Sequence, residues 1–317
     1  MVTDTYISYI TEQINCVTEG CGPVLLYGEN IANGSRLSGL ARGLRVNPDG
    51  RILNVGNCEL THIGVGLGIM ADGGKAVVFM KQLDFLLLGL DQVVNTLNYF
   101  RAAPPKNEIG SFTVYVIVCD QGYQGPQSSF NSASDIASIA NVRVYCLNGC
   151  ADASRVVYRQ FVEPGFRVIC VSQRHLARPA LEIAAESFSP DCEIFKYRSG
   201  GDVTLVCYNF SLQAGLRLSI ELSSQGVEAD LFHVNYIPNM DISMIRESCA
   251  RTKNLVLIDD SKSVNKFGEM LSAELRAGGL EFSSLSLFRR VCKDQEYGVN
   301  QDQFLIDFHA VHEFLEI

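Results

Sequence analysis

Short apolar segments with little polar alternation are the feature that most restricts the fold of this chain. They are rich in Val, Ile, Leu and Cys, which is typical of strands buried on both faces of a parallel sheet. The predicted strands cover residues 23–27, 76–79, 112–119, 142–146, 166–172, 203–208, 229–234, 255–259 and 280–285. Helical patterns lie between them at 5–14, 59–71, 85–99, 135–139, 153–161, 212–225, 242–249 and 267–277. This alternation predicts βαβ units and an α/β fold.

The length of the chain, 317 residues, suggests two domains. Residues 176–198 have weak periodicity and contain Pro179 and Pro190, so we predict a linker there. The first domain is then expected at 1–175 and the second at 199–317, each of them doubly wound. A sheet of this kind binds its ligands at the carboxyl ends of its strands.

Charge and cysteine content exclude several classes of protein. The formal net charge is −9 and the basic residues form no cluster, which disfavours nucleic acid or an anionic membrane as a partner. We find no apolar run of membrane-spanning length and no signal-peptide pattern at the start, so we expect a soluble cytoplasmic protein. The 11 cysteines include no Cys-x-x-Cys pair, which favours buried free thiols over disulfides or a metal site.

A carboxylate, Glu59, opens a predicted helix that contains Gly64, Gly66 and Gly68. Glu59 could simply complement the helix dipole, which is worth under ~1 kcal/mol, and the local pattern alone favours that interpretation. Each glycine, however, costs ~1 kcal/mol relative to alanine inside a helix. Their concentration indicates close backbone approach to a partner helix or a ligand. With Phe85 after the next strand, the pattern suits a buried heteroaromatic ring that is protonated and stacked.

Other motifs carry less information. The dinucleotide Gly-x-Gly-x-x-Gly, the phosphate-binding P-loop and the nucleophile elbow Gly-x-Ser-x-Gly are absent from the sequence. The pair Asp91-Gln92 lies in an apolar helical pattern and needs polar partners, either across a subunit interface or on a neighbouring backbone. Asp259-Asp260 follows a predicted strand and could bind a metal, although solvated acidic residues are the preferred interpretation.

An ordered series of motifs resembles a known family over nearly the whole chain. The strand patterns at 201–206 and 255–260 match its second half. In the first half, the matching segments are the loop Gly28-Glu29-Asn30-Ile31, the stretch 55–59 with Gly64 and Gly68 in register, and Phe85 followed by Asp91-Gln92 and Asn95. The family is the beta subunit of the thiamine-diphosphate-dependent 2-oxo acid dehydrogenase decarboxylating component, or equivalently the C-terminal half of a split transketolase.

The resemblance implies a role for each matching residue. Glu59 would face N1′ of the cofactor's pyrimidine as the catalytic acid–base group, and Phe85 would stack on that ring. Asn57, Lys81 and Glu29 would complete the cofactor-binding set. The first domain would be the pyrimidine-binding domain and the second a transketolase C-terminal-like domain.

The resemblance also implies a partner. A beta subunit lacks the diphosphate motif, so an alpha subunit would hold the diphosphate and Mg²⁺ in an α₂β₂ heterotetramer. The substrate would be a small keto acid or ketose, and the reaction would form or cleave a C–C bond beside a carbonyl.

Departures from the family pattern leave alternatives open. Ser128, beside Gln127 in the expected substrate loop, stands where the family has a histidine, and Lys81 replaces a residue that is usually neutral. An active subunit specialised for carboligation is one hypothesis. A non-catalytic structural or regulatory subunit of the same fold is the second, and a homodimeric binding module for a small metabolite is the third.

Overall fold

The computed structural model describes residues 4–105, 108–121, 130–237, 240–288 and 304–317. Contacts within the chain divide it into two compact units. Unit 1 comprises Met1–Cys119 and Ile136–Glu182, and unit 2 comprises Asp120–Asp135 and Ile183–Ile317. Among the described residues, none of the helices combines the length and the hydrophobicity that a bilayer crossing requires.

Unit 1 is built on a parallel sheet with helices between its strands. Its strands lie in the order β5-β6-β4-β3-β1-β2, and every neighbouring pair among them is parallel. In chain order the elements up to residue 172 are α1 (Tyr6–Gly20), β1 (Leu25–Gly28), β2 (Arg51–Asn54), α2 (Glu59–Ala71), β3 (Lys75–Met80), α3 (Leu83–Leu86), α4 (Leu97–Ala102), β4 (Ser111–Val118), α5 (Ala133–Ala140), β5 (Arg143–Leu147), α6 (Cys150–Gln160) and β6 (Gly165–Ser172). Short 3₁₀ turns occur at Leu37–Gly39, Leu87–Gly89 and Gln173–His175, and a π-turn at Gln92–Thr96.

Unit 2 contains a mixed sheet in the order β13-β12-β9-β10-β8-β7. The strands β13, β12, β9 and β10 are parallel to one another, whereas β8 and β7 add an antiparallel edge. The elements are β7 (Ser187–Phe188), β8 (Ile194–Arg198), β9 (Val203–Tyr208), α7 (Leu212–Ser224), β10 (Ala229–Val234), β11 (Tyr236–Ile237), α8 (Ser243–Thr252), β12 (Asn254–Asp259), α9 (Phe267–Ala277), β13 (Ser283–Phe288) and α10 (Phe308–Leu315). The predicted α/β fold with two domains is confirmed.

The core of unit 1 lies on both faces of its sheet. Every residue of β4 is buried, and its neighbours β3 and β6 are buried along nearly their whole length. A strand covered on both faces has no solvent side, which explains why these segments read as continuous apolar runs.

The chain contacts divide the molecule at three points, between Cys119 and Asp120, between Asp135 and Ile136, and between Glu182 and Ile183. The last of these points lies inside the predicted linker at 176–198. Within that segment β8 is a strand that pairs antiparallel with β10, so these residues belong to the second sheet. The segment 120–135 also belongs to unit 2, because Asn131 donates to the carbonyl oxygen of Asp260 at 2.9 Å and accepts from the amide of Lys262 at 2.7 Å.

The glycines of α2 differ in their surroundings. A Cβ atom at Gly66 would lie 2.1 Å from a ring carbon of Phe112 in β4, so this glycine lets the aromatic ring pack directly against the helix backbone. Gly68 has no neighbour within 4 Å of the same position. The glycine run predicts close approach to a partner helix or a ligand, whereas the close neighbour at Gly66 is a side chain of the sheet in unit 1.

We expect Gly66→Ala to destabilise unit 1 by about 1–3 kcal/mol, because the added methyl group overpacks the Phe112 contact. The matched control is Gly68→Ala in the same helix, which should stabilise the chain by up to about 1 kcal/mol through helix propensity alone. Urea unfolding of both variants measures the difference. Equal free energies of unfolding for the two variants would contradict the packing described here.

Candidate functional site

The candidate residues lie at the carboxyl edge of the sheet in unit 1. Gly28, the last residue of β1, pairs with Asn54 of β2 on one side and with Phe79 of β3 on the other. The three strands therefore end nearly level with one another. Glu29 follows β1 directly, and the loops that follow β2 and β3 begin at the same edge, where a doubly wound sheet binds its ligands.

Gly28 is required at this edge by close packing. A Cβ atom at this position would lie 2.5 Å from the carbonyl oxygen of Phe79, a separation that side chains do not tolerate. The chain then turns sharply, because Asn30 has a φ of 52° in the left-handed region. This turn leaves Glu29 half-buried beside the loop that follows β2.

Glu29 and Asn57 form a direct contact. With the amide oriented by its hydrogen bonds, the Asn57 side-chain nitrogen donates to both carboxylate oxygens of Glu29 at 3.1 Å. The pKa of Glu29 is raised above its ordinary value, first because burial desolvates the carboxylate and second because Glu59 adds a like charge, while His62 acts in the opposite direction. The structure therefore brings Glu29, Asn57 and Glu59 together, as well as His62.

Glu59 is the first residue of α2 and is half-buried. Cys58 precedes it as the N-cap residue, and its sulfur lies 2.9 Å from the Thr61 hydroxyl. Hydrogen bonds from Thr61 lower the pKa of the Cys58 thiol. The carboxylate of Glu59 thus lies at the positive end of a helix dipole, which favours negative charge.

The segment after β3 packs against the start of α2. A Cβ atom at Gly89 would lie 2.5 Å from the side chain of Ile63 and 3.2 Å from the carbonyl oxygen of Glu59. Phe85, in α3, is half-buried, and its amide donates to the carbonyl oxygen of Gln82 at 3.1 Å. Lys81 is exposed at the end of β3. Both Lys81 and Phe85 therefore follow the strand beside β1, at the edge that carries Glu29.

The segment predicted as a helix at 85–99 is helical throughout, but it is not a regular α-helix, because it includes the 3₁₀ turn and the π-turn. Polar residues in it have local partners one turn away. Asn95 donates to Asp91 at 2.7 Å, and Thr96 donates to Gln92 at 2.7 Å. Asp91 and Gln92 each accept a hydrogen bond from within the same helical segment.

Two predicted substrate-loop residues, Gln127 and Ser128, lie outside the described residues. Sequence reasoning also missed His62. The sequence feature that could have identified His62 is its spacing of three residues from Glu59. On a helix this spacing places the two side chains at neighbouring positions of one face.

Several large apolar side chains are exposed on the elements that carry the site. They lie on β2, on α2 and on the 3₁₀ turn that packs against the start of α2. The exposed fractions are 50% for Leu53, 45% for Leu60, 45% for Val65, 46% for Leu87 and 62% for Leu88. We call these side chains the apolar surface of the site.

No protein-family model matches the chain. The fold is nevertheless that of the transketolase group. The chain superimposes on a solved structure described as a split-gene transketolase, an inactive beta4 tetramer, with a TM-score of 0.74, 15% identity and 99% of both chains covered. A transketolase from Campylobacter jejuni matches 96% of this chain with 44% of its own length, at a TM-score of 0.67 and 11% identity.

Proteins with similar sequences indicate a more specific group than the fold does. The mitochondrial pyruvate dehydrogenase E1 component subunit beta of Ascaris suum is 22% identical over 264 residues, 80% of this chain and 71% of that protein. The beta subunit of acetoin:2,6-dichlorophenolindophenol oxidoreductase from Cupriavidus necator is 21% identical over 263 residues, 80% of this chain and 78% of that protein. The homologues are thus E1 beta subunits and related proteins, which confirms the resemblance predicted from the sequence.

The coupling between Glu59 and Glu29 gives a titration test. We expect Glu59→Gln to lower the pKa of Glu29, because it removes a like charge, yet to leave it above the ordinary value of 4.5, because burial remains the largest cause. A raised carboxyl pKa adds stability below the unfolded value, and this contribution is lost as the pH rises through the folded pKa. The loss should therefore be smaller in the variant and should be complete at a lower pH.

Carboxyl NMR of Glu29 against pH measures this shift, with Glu269→Gln as the control. Glu269 is an exposed carboxylate in the first turn of α9 in unit 2. An unchanged Glu29 titration in Glu59→Gln would contradict the coupling.

Proposed function

We propose that this chain is the pyrimidine-binding beta subunit of a heteromeric thiamine-diphosphate-dependent enzyme. The enzyme forms or cleaves a C–C bond next to a carbonyl and transfers an activated aldehyde or acyl unit, as transketolases and 2-oxo acid decarboxylases do. The observation that carries the proposal is the half-buried Glu59 at the start of α2, grouped with Glu29 and Asn57 at the carboxyl edge of the sheet.

The residues at this edge suit the pyrimidine of the cofactor. A heteroaromatic ring needs a carboxyl group opposite a ring nitrogen and an apolar surface against its face. Glu59 supplies the first, and the half-buried ring of Phe85 supplies the second, with aromatic stacking worth ≈ 0.5–1.5 kcal/mol. Asn57 and Lys81 add polar donors at the same edge, and Glu29 orients Asn57 through its hydrogen bonds.

Thiamine diphosphate, when bound, supplies the carbon nucleophile that attacks the substrate carbonyl. The part of this chain is to hold and move a proton. Glu59 would hold the proton opposite N1′ of the pyrimidine, and positioned proton transfer of this kind is worth about 10²–10⁴ in rate. Burial and the negative charge of Glu59 both raise the pKa of Glu29, since two adjacent carboxylates disfavour double ionisation.

The apolar surface of the site supports the proposal that a partner subunit binds there. Exposed apolar side chains grouped beside a functional site are typical of protein–protein interfaces. We propose that an alpha subunit covers Leu60, Val65 and Leu88 and holds the diphosphate and Mg²⁺, in an α₂β₂ assembly that acts on a small keto acid or ketose. The net charge of −9 supports neither nucleic acid nor a membrane as a partner.

We expect Glu59→Gln to reduce turnover of the reconstituted complex at least about 100-fold, because the amide cannot exchange a proton with the pyrimidine. Steady-state kinetics of the complex with a panel of keto acids and ketoses measures the effect. Glu269→Gln, which changes an exposed helix-start carboxylate in unit 2, is the matched control and should retain full activity. Wild-type turnover in Glu59→Gln would refute the assigned role.

The partner interface has its own test. We expect Leu88→Glu to weaken binding of the alpha subunit about tenfold or more, because it places a charge on a surface that must be desolvated. Ile220→Glu is the control, since Ile220 is 56% exposed on α7 of unit 2. Analytical ultracentrifugation of the mixed subunits reads out both variants. Equal affinities for the two variants would place the interface elsewhere.

A non-catalytic structural or regulatory subunit is the second candidate function. The observation that favours it is Ser128 at the position where the resembling family has a histidine. A subunit of this kind would join the same assembly without contributing to cofactor binding, so the two functions differ in whether the complex binds thiamine diphosphate through Glu59.

A further inference from the structure

The loop at residues 55–58 joins β2 to α2 and decides where two proposed site residues lie. It contains Asn57, and Glu59 follows it directly. The loop has no regular secondary structure, so its position depends on individual hydrogen bonds. At its beginning, the amide of Val55 donates to the carbonyl oxygen of Gly28 at 3.1 Å, which fixes it to the end of β1.

His62 holds the middle of this loop. Its ring nitrogen Nε2 lies 2.7 Å from the carbonyl oxygen of Gly56, and the side chain is 7% exposed. A carbonyl oxygen only accepts hydrogen bonds, so Nε2 must carry the hydrogen in this contact. This hydrogen bond joins the first turn of α2 to the residue before Asn57, and it therefore ties the middle of the loop to the helix that follows it.

Tyr27 in turn holds His62. The Tyr27 hydroxyl donates to the carbonyl oxygen of His62 at 2.5 Å, and the two rings meet edge to face with their centroids 6.2 Å apart. Tyr27 is buried in β1, and burial raises the pKa of its phenol, so the hydroxyl keeps the proton that it donates. A chain of contacts therefore runs from Tyr27 in β1 through His62 to Gly56.

We infer that His62 is a positioning residue that sets the Asn57 loop and the start of α2, and with them Asn57 and Glu59, against Glu29. The inference rests on the proposed function for its catalytic consequence, but the positioning itself is a property of this chain. Its chemistry requires a hydrogen-bond donor of about the size of an imidazole at this position. A phenylalanine fills the space without donating, whereas a glutamine amide donates to the same carbonyl.

Hydrogen–deuterium exchange of the whole chain tests the positioning directly. In His62→Phe we expect the Val55 amide and the loop peptide to exchange at least about tenfold faster, while the amides of β4 stay protected. His62→Gln should restore slow exchange, which a mere packing role would not produce. His309→Phe, at an exposed position of α10, is the control that should change nothing.

The reconstituted complex tests the consequence. We expect His62→Phe to weaken thiamine diphosphate binding about tenfold and His62→Gln to recover most of that loss. Unchanged loop exchange in His62→Phe would overturn the inference, as would unchanged cofactor affinity in a complex that Glu59→Gln inactivates. Full turnover in Glu59→Gln would instead overturn the proposed function, and fast loop exchange in His62→Phe would then still support His62 as the residue that holds the loop.

Discussion

The parallel pairing of β1 with β2 and β3 is the constraint on which the candidate site depends. Because Gly28 lies level with Asn54 and Phe79, the three strands deliver their following loops to one edge. The pairing is close enough that only glycine fits at position 28, where a Cβ atom would meet the Phe79 carbonyl oxygen at 2.5 Å. A one-residue shift of β1 would move Glu29 away from Asn57 and break their contact.

The site places two carboxylates close together, which lowers the stability of the folded chain. Glu29 is partly desolvated and lies near Glu59, and both effects raise its pKa. Proteins retain such arrangements at functional sites more often than elsewhere, because perturbed carboxyl groups are useful in proton transfer. The Asn57 amide and the His62 imidazole offset part of the repulsion, so the same residues that shape the loop also make the pair of carboxylates tolerable.

Much of the fold could be predicted because buried parallel strands leave a plain signal. The start and end of α2, and the strands β9 and β10, coincide with the predicted residues 59–71, 203–208 and 229–234. The edge strand β2 was missed since most of its residues are exposed and it lacks an apolar run. In β8, residues 195–198 alternate aromatic and basic side chains, which was a strand signal inside the predicted linker.

The site was less predictable for a physical reason. The local sequence pattern predicted Glu59 at the start of a helix, and the resemblance to the beta-subunit family supplied its expected role. The contact between Asn57 and Glu29 joins two loops, and the contact of His62 runs six residues backward to a carbonyl, so neither produces a periodic signal in the sequence. The 3₁₀ geometry within the helical segment 85–99 has a similar origin, because it accompanies the close approach of Gly89 to Ile63.

Calorimetric titration with thiamine diphosphate and Mg²⁺ tests the central claim most directly. The chain alone, the chain copurified with the protein encoded beside its gene, and the same complex carrying Glu59→Ala would be compared. Our account predicts binding in the wild-type complex, none in the chain alone and markedly weaker binding in the variant complex. A complex that assembles but never binds the cofactor would contradict it, and would favour the non-catalytic subunit.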